Sequence, residues 1–187
     1  MKNIVDIPYE YNREDIKRLS GPHHKMAMLS FIDDRNKFIA QIIAQYVENN
    51  NKILILTCGK HHSFIINKEL VKINDSLTTA IYDYDGTELQ KPFDEQISYI
   101  SYRFIEGQRL PKHDICIVTI EPGITLLLNI IHKTDTSTLI NITNSNTQKK
   151  INGYYSFTKT LMQKTVDVNL YYEKNKEIDY DKIEIFI

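Results

Sequence analysis

Tryptophan is absent from this sequence of 187 residues, and cysteine, proline and glycine are scarce, with 2, 5 and 6 residues. Two cysteines cannot build a disulfide framework, so we expect a hydrophobic core to stabilise the fold. An excess of charge of one sign is also missing, since the formal net charge is −1. That balance excludes a global electrostatic argument for binding nucleic acid or a membrane surface, but it does not exclude a local basic face.

Long hydrophobic runs are missing as well. No apolar run reaches the length of a transmembrane helix, and the N-terminus, with Lys2 and Asp6, lacks the pattern of a signal peptide. We therefore expect a soluble, intracellular protein in a reducing compartment. In such a protein Cys58 and Cys116 are interpreted as small apolar core residues rather than as a disulfide or metal ligands.

The pattern of apolar residues predicts helices that alternate with strands. Helices are predicted at 23–31, 35–50, 63–73, 88–105, 122–132 and 154–163, and strands at 53–56, 78–82, 115–118, 139–142, 166–172 and 183–187. Residues 1–22 and 144–152 are predicted to be irregular. Because strands that alternate with helices form parallel sheets, we predict one α/β domain, with a mostly parallel sheet and helices on both faces.

Two of the predicted strands end in threonine. Strand 53–56 runs into Thr57, and strand 115–118 runs into Thr119. In open α/β sheets, ligands bind at the carboxyl ends of the strands. Thr119 is therefore a candidate for a contact with a nucleic-acid phosphate. The alternative interpretation is that Thr119 only ends the strand and contacts no ligand.

The turn after the first of these strands carries polar and basic side chains. We predict that it contacts a phosphate backbone, with Lys60 as a charge and His61, His62 and Ser63 beside it at a helix N-terminus. A purely structural alternative stays open, in which Gly59 adopts a special backbone angle and Ser63 caps the helix. A metal site is not favoured, because adjacent histidines on a helix face apart.

Two further groups have both a functional and a structural interpretation. Basic residues near the N-terminus suggest an arm that binds nucleic acid, but a solvated surface fits them better. Tyrosine pairs, among them Tyr99 with Tyr102, have side chains that stack on bases, although at helical or strand spacing such residues more often lie at the edge of a core.

Three stretches together resemble a known family. Residues 25–36 form a Met/Leu segment that ends in an Arg-Asn pair, and residues 52–57 precede a pair of histidines. Residues 104–107 precede the stretch 113–119, in which a strand ends in threonine. These stretches are similar to the second RecA-like domain, the C-terminal half, of superfamily-two helicases of large DNA viruses and phages. The second stretch resembles motif IV and the third the approach to motif V. The resemblance implies a RecA-like domain at 23–187 behind an irregular arm at 1–22.

The sequence departs from that family at the residues that handle ATP. Leu128-Asn129 stands where motif V should carry an acidic residue. The nearest match to motif VI, at 148–155, contains Lys149 and Lys150 but no arginine finger, and a lysine does not replace a bidentate guanidinium. No phosphate loop and no Asp-Glu box occur in these 187 residues.

The resemblance and its departures predict a helicase-like, nucleic-acid-associated protein without ATPase or unwinding activity of its own. No catalytic residue, metal or cofactor is expected, and ATP only if a partner domain completes the site. Expected partners are single- or double-stranded nucleic acid and a protein that carries a first RecA-like domain. No association with a membrane is expected. Expected locations are the cytoplasm, the nucleus or a virus factory. Two alternatives remain, half of a split helicase and a non-enzymatic α/β protein-interaction module.

Overall fold

The computed structural model describes residues 3–9, 22–47, 51–82, 95–106, 110, 112–143 and 149–154. The helices are α1 (Pro22–Leu29), α2 (Asp33–Val47), α3 (Lys60–Ile73) and α4 (Ile124–Lys133), and the strands are β1 (Asn3–Ile7), β2 (Ile53–Thr57), β3 (Thr79–Tyr82), β4 (Ile97–Ser101), β5 (Ile115–Val118) and β6 (Thr138–Ile142). A 3-10 helix, Tyr102–Glu106, follows β4, and residues 149–154 are helical. The strands predicted at 166–172 and 183–187 lie outside the described residues.

The six strands form one sheet in the order β1-β6-β5-β2-β4-β3, and every pairing in it is parallel. β2 and β5 are neighbours, with Ile53 opposite Ile115, and each has a further strand on its other side. They are the third and fourth strands in this order and therefore lie at the centre of the sheet. The predicted α/β fold with a parallel sheet is confirmed, and it is consistent with a RecA-like domain.

Side chains along each strand point alternately to the two faces of the sheet. In β2, Ile53 and Ile55 enter one core, and Leu54 and Leu56 enter the other. All five residues of β2 are buried. A strand covered on both faces needs apolar residues at every position, which explains why β2 has no polar alternation.

Helices cover both faces of the sheet, as predicted. On one face α2 and α3 pack against each other and bury Ile39, Ile43, Ile66 and Leu70. On the other face the core includes α4 and the 3-10 helix, with Leu127 among the buried residues. Each fully buried Ile or Leu contributes about 1.5–3 kcal/mol, so the two cores fix the sheet between the helices. Within the described ranges, no helix is long and apolar enough to cross a membrane.

The prediction of a helix at 88–105 is wrong for its second half, where residues 97–101 form β4. Ile97 and Ile100 have a spacing that fits one face of a helix, and a short apolar run does not distinguish the two structures. In the structure Ile97 and Tyr99 enter one core and Ile100 enters the other. The β-branched and aromatic composition of this stretch suits a strand.

Two segments predicted to be irregular are ordered. Residues 3–7 form β1, an edge strand whose pairing with β6 joins Asn3 to Thr138. Residues 149–152, predicted as part of a loop, are helical, and Ile151 is buried in the core beside α4. Residues 10–21 lie outside the described part, and the division of the chain at residue 22 stays a prediction.

Candidate nucleic-acid interface

The parallel sheet brings the ends of its central strands together at one edge. Thr119 follows β5 and lies beside the end of β2, where its backbone N–H donates to the carbonyl of Leu56 at 3.1 Å. Its hydroxyl donates to the same carbonyl at 2.7 Å. The turn that leaves β2 and the loop that leaves β5 therefore start side by side.

The turn between β2 and α3 is held by hydroxyl groups. Thr57 Oγ1 and Ser63 Oγ are 2.8 Å apart, and Ser63 Oγ donates to the carbonyl of Gly59 at 3.3 Å. Helix α3 begins at Lys60, so Ser63 lies within its first turn and does not cap it. Gly59 precedes the helix with φ 164°, an extended conformation open to any residue, so the expected special angle is wrong.

His62 points into the protein and links α3 to the junction of α1 and α2. The backbone N–H of Cys58 donates to Nδ1 of His62 at 3.5 Å, and Nε2 lies 3.1 Å from Oδ1 of Asn36. Asn36 in turn donates from Nδ2 to the carbonyl of Ser30 at 2.7 Å. Nδ1 therefore accepts and Nε2 donates, which is the neutral imidazole with its proton on Nε2.

The surroundings of His62 keep that imidazole neutral. Burial, with smaller contributions from the charges of Arg35 and His61, lowers the pKa of His62 to about 3. Its side chain is 1% exposed. A neutral, enclosed imidazole holds the turn in place, and it does not carry charge to a phosphate.

Arg35, the first residue of the Arg-Asn pair, donates hydrogen bonds to the ends of two strands. Its guanidinium is buried, and Nη2 donates to the carbonyl of Thr119 at 2.6 Å and to the carbonyl of Ile142 at 3.2 Å. Those carbonyls lie at the ends of β5 and β6. The Arg-Asn pair of the family resemblance thus connects the start of α2 to three elements of the carboxyl edge, through Arg35 to β5 and β6 and through Asn36 to α3.

The five predicted binding residues divide into two sets. Lys60 and His61 are exposed at the start of α3. His62, Ser63 and Thr119 are buried and take part in the internal hydrogen bonds described above. The structure therefore brings all five to one edge of the sheet but presents only the first two to solvent.

Sequence reasoning overlooked two exposed phenylalanines beside these residues. Phe31, after α1, is 59% exposed and Phe64 is 53% exposed. The ring of Phe31 lies 5.8 Å from that of His61, at an interplanar angle of 43°. Tyr99 and Tyr102, considered for base stacking, are both buried. The pattern of α3 contains the necessary information, because Phe64 lies off its buried stripe.

No metal centre is visible in the ranges that the structure describes, where no three residues among His, Cys, Asp and Glu are grouped to hold an ion. Cys58 and Cys116 are free thiols, and Cys116 is buried. Burial raises the pKa of Cys58, which keeps the thiol protonated at neutral pH. Both cysteines fit the interpretation as small core residues.

Comparison with known proteins gives little beyond the fold. No protein-family model matches the chain, and no curated protein matches it. Among solved structures, the chain is similar to the helicase domain of Hef from Pyrococcus furiosus, with 16% sequence identity and a TM-score of 0.42. The match covers 65% of this chain and 28% of the other. At this identity and TM-score the likeness carries no information about function, and the fold is established by the strand order and register of this chain itself.

Proposed function

We propose that this chain is a helicase-like domain that binds nucleic acid at the carboxyl edge of its sheet and has no ATPase activity of its own. The observation that carries the proposal is the parallel pairing of β2 with β5 at the centre of the sheet. That pairing aligns the turn at 58–63 with the loop at 119–123. Together the two loops form one continuous edge along which the sugar-phosphate backbone of a nucleic acid would lie.

In this proposal the five residues have different roles. Lys60 contacts a phosphate as a point charge, and His61 lies next to it on the same exposed turn. His62, Ser63 and Thr119 position the turn through buried hydrogen bonds and do not touch the ligand. Of the five residues that the sequence predicts to bind, the proposal thus has two contact nucleic acid and three hold those two in place.

The absence of ATPase activity is inferred from the sequence. These 187 residues contain no phosphate loop, and the region that resembles motif VI has lysines and no arginine. Lys149 is exposed on the helical residues 149–154, where a long cationic side chain supplies charge without the planar fork of an arginine finger. ATP would bind only with a partner that carries a first RecA-like domain. The viral or phage type and the intracellular location belong to the same proposal.

The experiment is fluorescence anisotropy with labelled single- and double-stranded 20-nucleotide probes over a salt series from about 50 to 200 mM. We expect affinity that falls as salt rises, and a log–log slope that becomes shallower by about 0.7–0.9 in Lys60→Ala, as one phosphate contact is lost. Lys72→Ala is the matched control, because Lys72 is an exposed lysine of the same helix in its last turn.

The outcomes separate the alternatives. Binding that is insensitive to salt, or that weakens equally in the two lysine variants, would place the interface elsewhere on the molecule. No binding to either probe at 50 mM salt would refute the proposal and favour the protein-interaction module. ATP hydrolysis by the purified chain would refute the second half of the proposal.

A further inference from the structure

We propose that Phe31, His61 and Phe64 form an aromatic platform that stacks the unpaired bases of a single strand. The inference rests on the proposed function and makes it more specific, since it selects single-stranded over double-stranded nucleic acid. Phosphate contact at Lys60 supplies affinity for any strand, whereas the platform adds affinity only where base faces are open.

Two of the three rings are in contact, and the third lies one turn further along the same helix. Phe31 and His61 have ring centroids 5.8 Å apart, within the usual range for paired aromatic rings. Phe64 follows His61 by three positions in α3, so the two side chains share a face of the helix. The platform thus extends from the turn that follows α1 to the first two turns of α3.

Neither phenylalanine belongs to the two buried cores. The buried side of α3 is formed by other residues, Ser63, Ile66 and Leu70 among them. Phe31 and Phe64 keep more than half of their surfaces in water, at 59% and 53%. Contiguous exposed apolar patches mark interaction sites, and Phe31, in contact with His61, and Phe64, one turn beyond His61, are candidates for such a patch.

The charges around the platform differ between its two sides, and this difference suggests the path of a nucleic acid. Lys60 adjoins His61 at the start of α3, which is also the positive end of the helix dipole. Asp33 and Asp34 are exposed at the start of α2, and Asp34 pairs with Lys37 at 3.4 Å. The phosphates would therefore run along the Lys60 side, and the bases would turn towards the rings.

Stacking explains why the ligand should be single-stranded. Ring faces attract the flat faces of bases, and in a duplex neighbouring base pairs cover those faces. A phosphate contact, in contrast, forms equally well with either ligand. Selectivity for a single strand would thus come from the rings, and general affinity from the charge.

The test compares Phe31→Leu, Phe64→Leu and the double variant with the unmodified protein, using the same single-stranded and double-stranded probes. Leucine keeps an apolar side chain and removes the ring, so a general hydrophobic contact would tolerate it. Val71→Ala is the control for changing an exposed apolar residue of α3, since Val71 is 43% exposed. The melting temperature of each variant is measured by circular dichroism to establish that it is folded.

Where a ring stacks on a base, we expect its removal to weaken single-strand binding by roughly 5- to 150-fold. Duplex binding and the salt slope should stay unchanged. Equal single-strand affinity in all four proteins would overturn the platform while Lys60-dependent binding keeps the proposed function. A ring variant that binds both probes normally but loses self-association in sedimentation would show a contact between copies of the chain, which also overturns it. Absence of any binding overturns both proposals.

Discussion

The environment of His62 makes the stability of the protein depend on pH. In the folded state burial lowers the pKa of His62 to about 3, from an ordinary value of 6.5. Between pH 7 and pH 5 the unfolded chain takes up a proton at this residue and the folded protein does not. Because the unfolded state binds more protons, the free energy of unfolding falls as the pH falls through this window.

The size of the effect follows from the two pKa values. Over the interval from pH 7 to pH 5 the linkage amounts to about 2 kcal/mol at this one histidine. The loss begins near the unfolded pKa of 6.5 and continues down to the folded pKa of about 3. For a domain of ordinary stability, about 5–15 kcal/mol, that is a substantial fraction.

The assay is urea unfolding at pH 7 and pH 5, followed by circular dichroism, for the unmodified protein and His62→Gln. The variant loses buried hydrogen bonds at both pH values, so a constant offset is expected and only the change with pH is diagnostic. We expect the unmodified protein to lose about 2 kcal/mol more than the variant between the two pH values. His132→Gln, which removes an exposed imidazole, is the matched control.

An equal loss in the unmodified protein and in His62→Gln would refute the reasoning. It would mean that folded His62 takes up a proton over this range, and that the link from Nε2 to Asn36 does not hold it neutral. The same result would remove the argument that His62 acts by positioning the turn.

Two further predictions concern the same edge of the sheet. Thr119→Val should destabilise the fold by about 1 kcal/mol in urea unfolding, because the Leu56 carbonyl loses the hydrogen bond that the buried hydroxyl donates. Single-strand affinity should be unchanged, and Thr119→Ser is the control that keeps the hydroxyl. A loss of affinity in a folded Thr119→Val protein would show that Thr119 contacts the ligand directly. Arg35→Met should destabilise the fold by about 3 kcal/mol or more, because the carbonyls of Thr119 and Ile142 lose a charged donor. Unchanged stability would mean that these two hydrogen bonds make no net contribution to the free energy of unfolding.

The parts of the fold that the sequence predicts are those determined by local pattern. β2 and β5 are short, continuous apolar runs between polar turns, and this pattern predicts strands that are covered on two faces. β4 was missed because Ile97 and Ile100 fit a helix and a strand equally well. β1 was missed because its partner, β6, is far along the chain.

The candidate site was predicted in position but not in detail. The rule that ligands bind at the carboxyl edge points to Lys60 and Thr119, and in the structure these residues follow β2 and β5 at the same edge of the sheet. The burial of His62 depends on Asn36, 26 positions earlier, and no local pattern contains that contact. The exposure of Phe31 and Phe64 likewise follows from the packing of α3 against its neighbours, although the helical period of α3 already separates Phe64 from the buried stripe.

The pairing of β1 with β6 has a consequence for the order of folding. Asp6 and Asn141, joined by a hydrogen bond of 3.5 Å across these strands, are 135 positions apart. During synthesis on the ribosome, β1 leaves the exit tunnel before the other described strands but meets its partner only after all of them have been made. Until then the edge of β6 is open and β1 has nothing to pair with, the condition in which chains associate wrongly. Chaperone dependence and slow final docking of the first strand are what this topology leads us to expect.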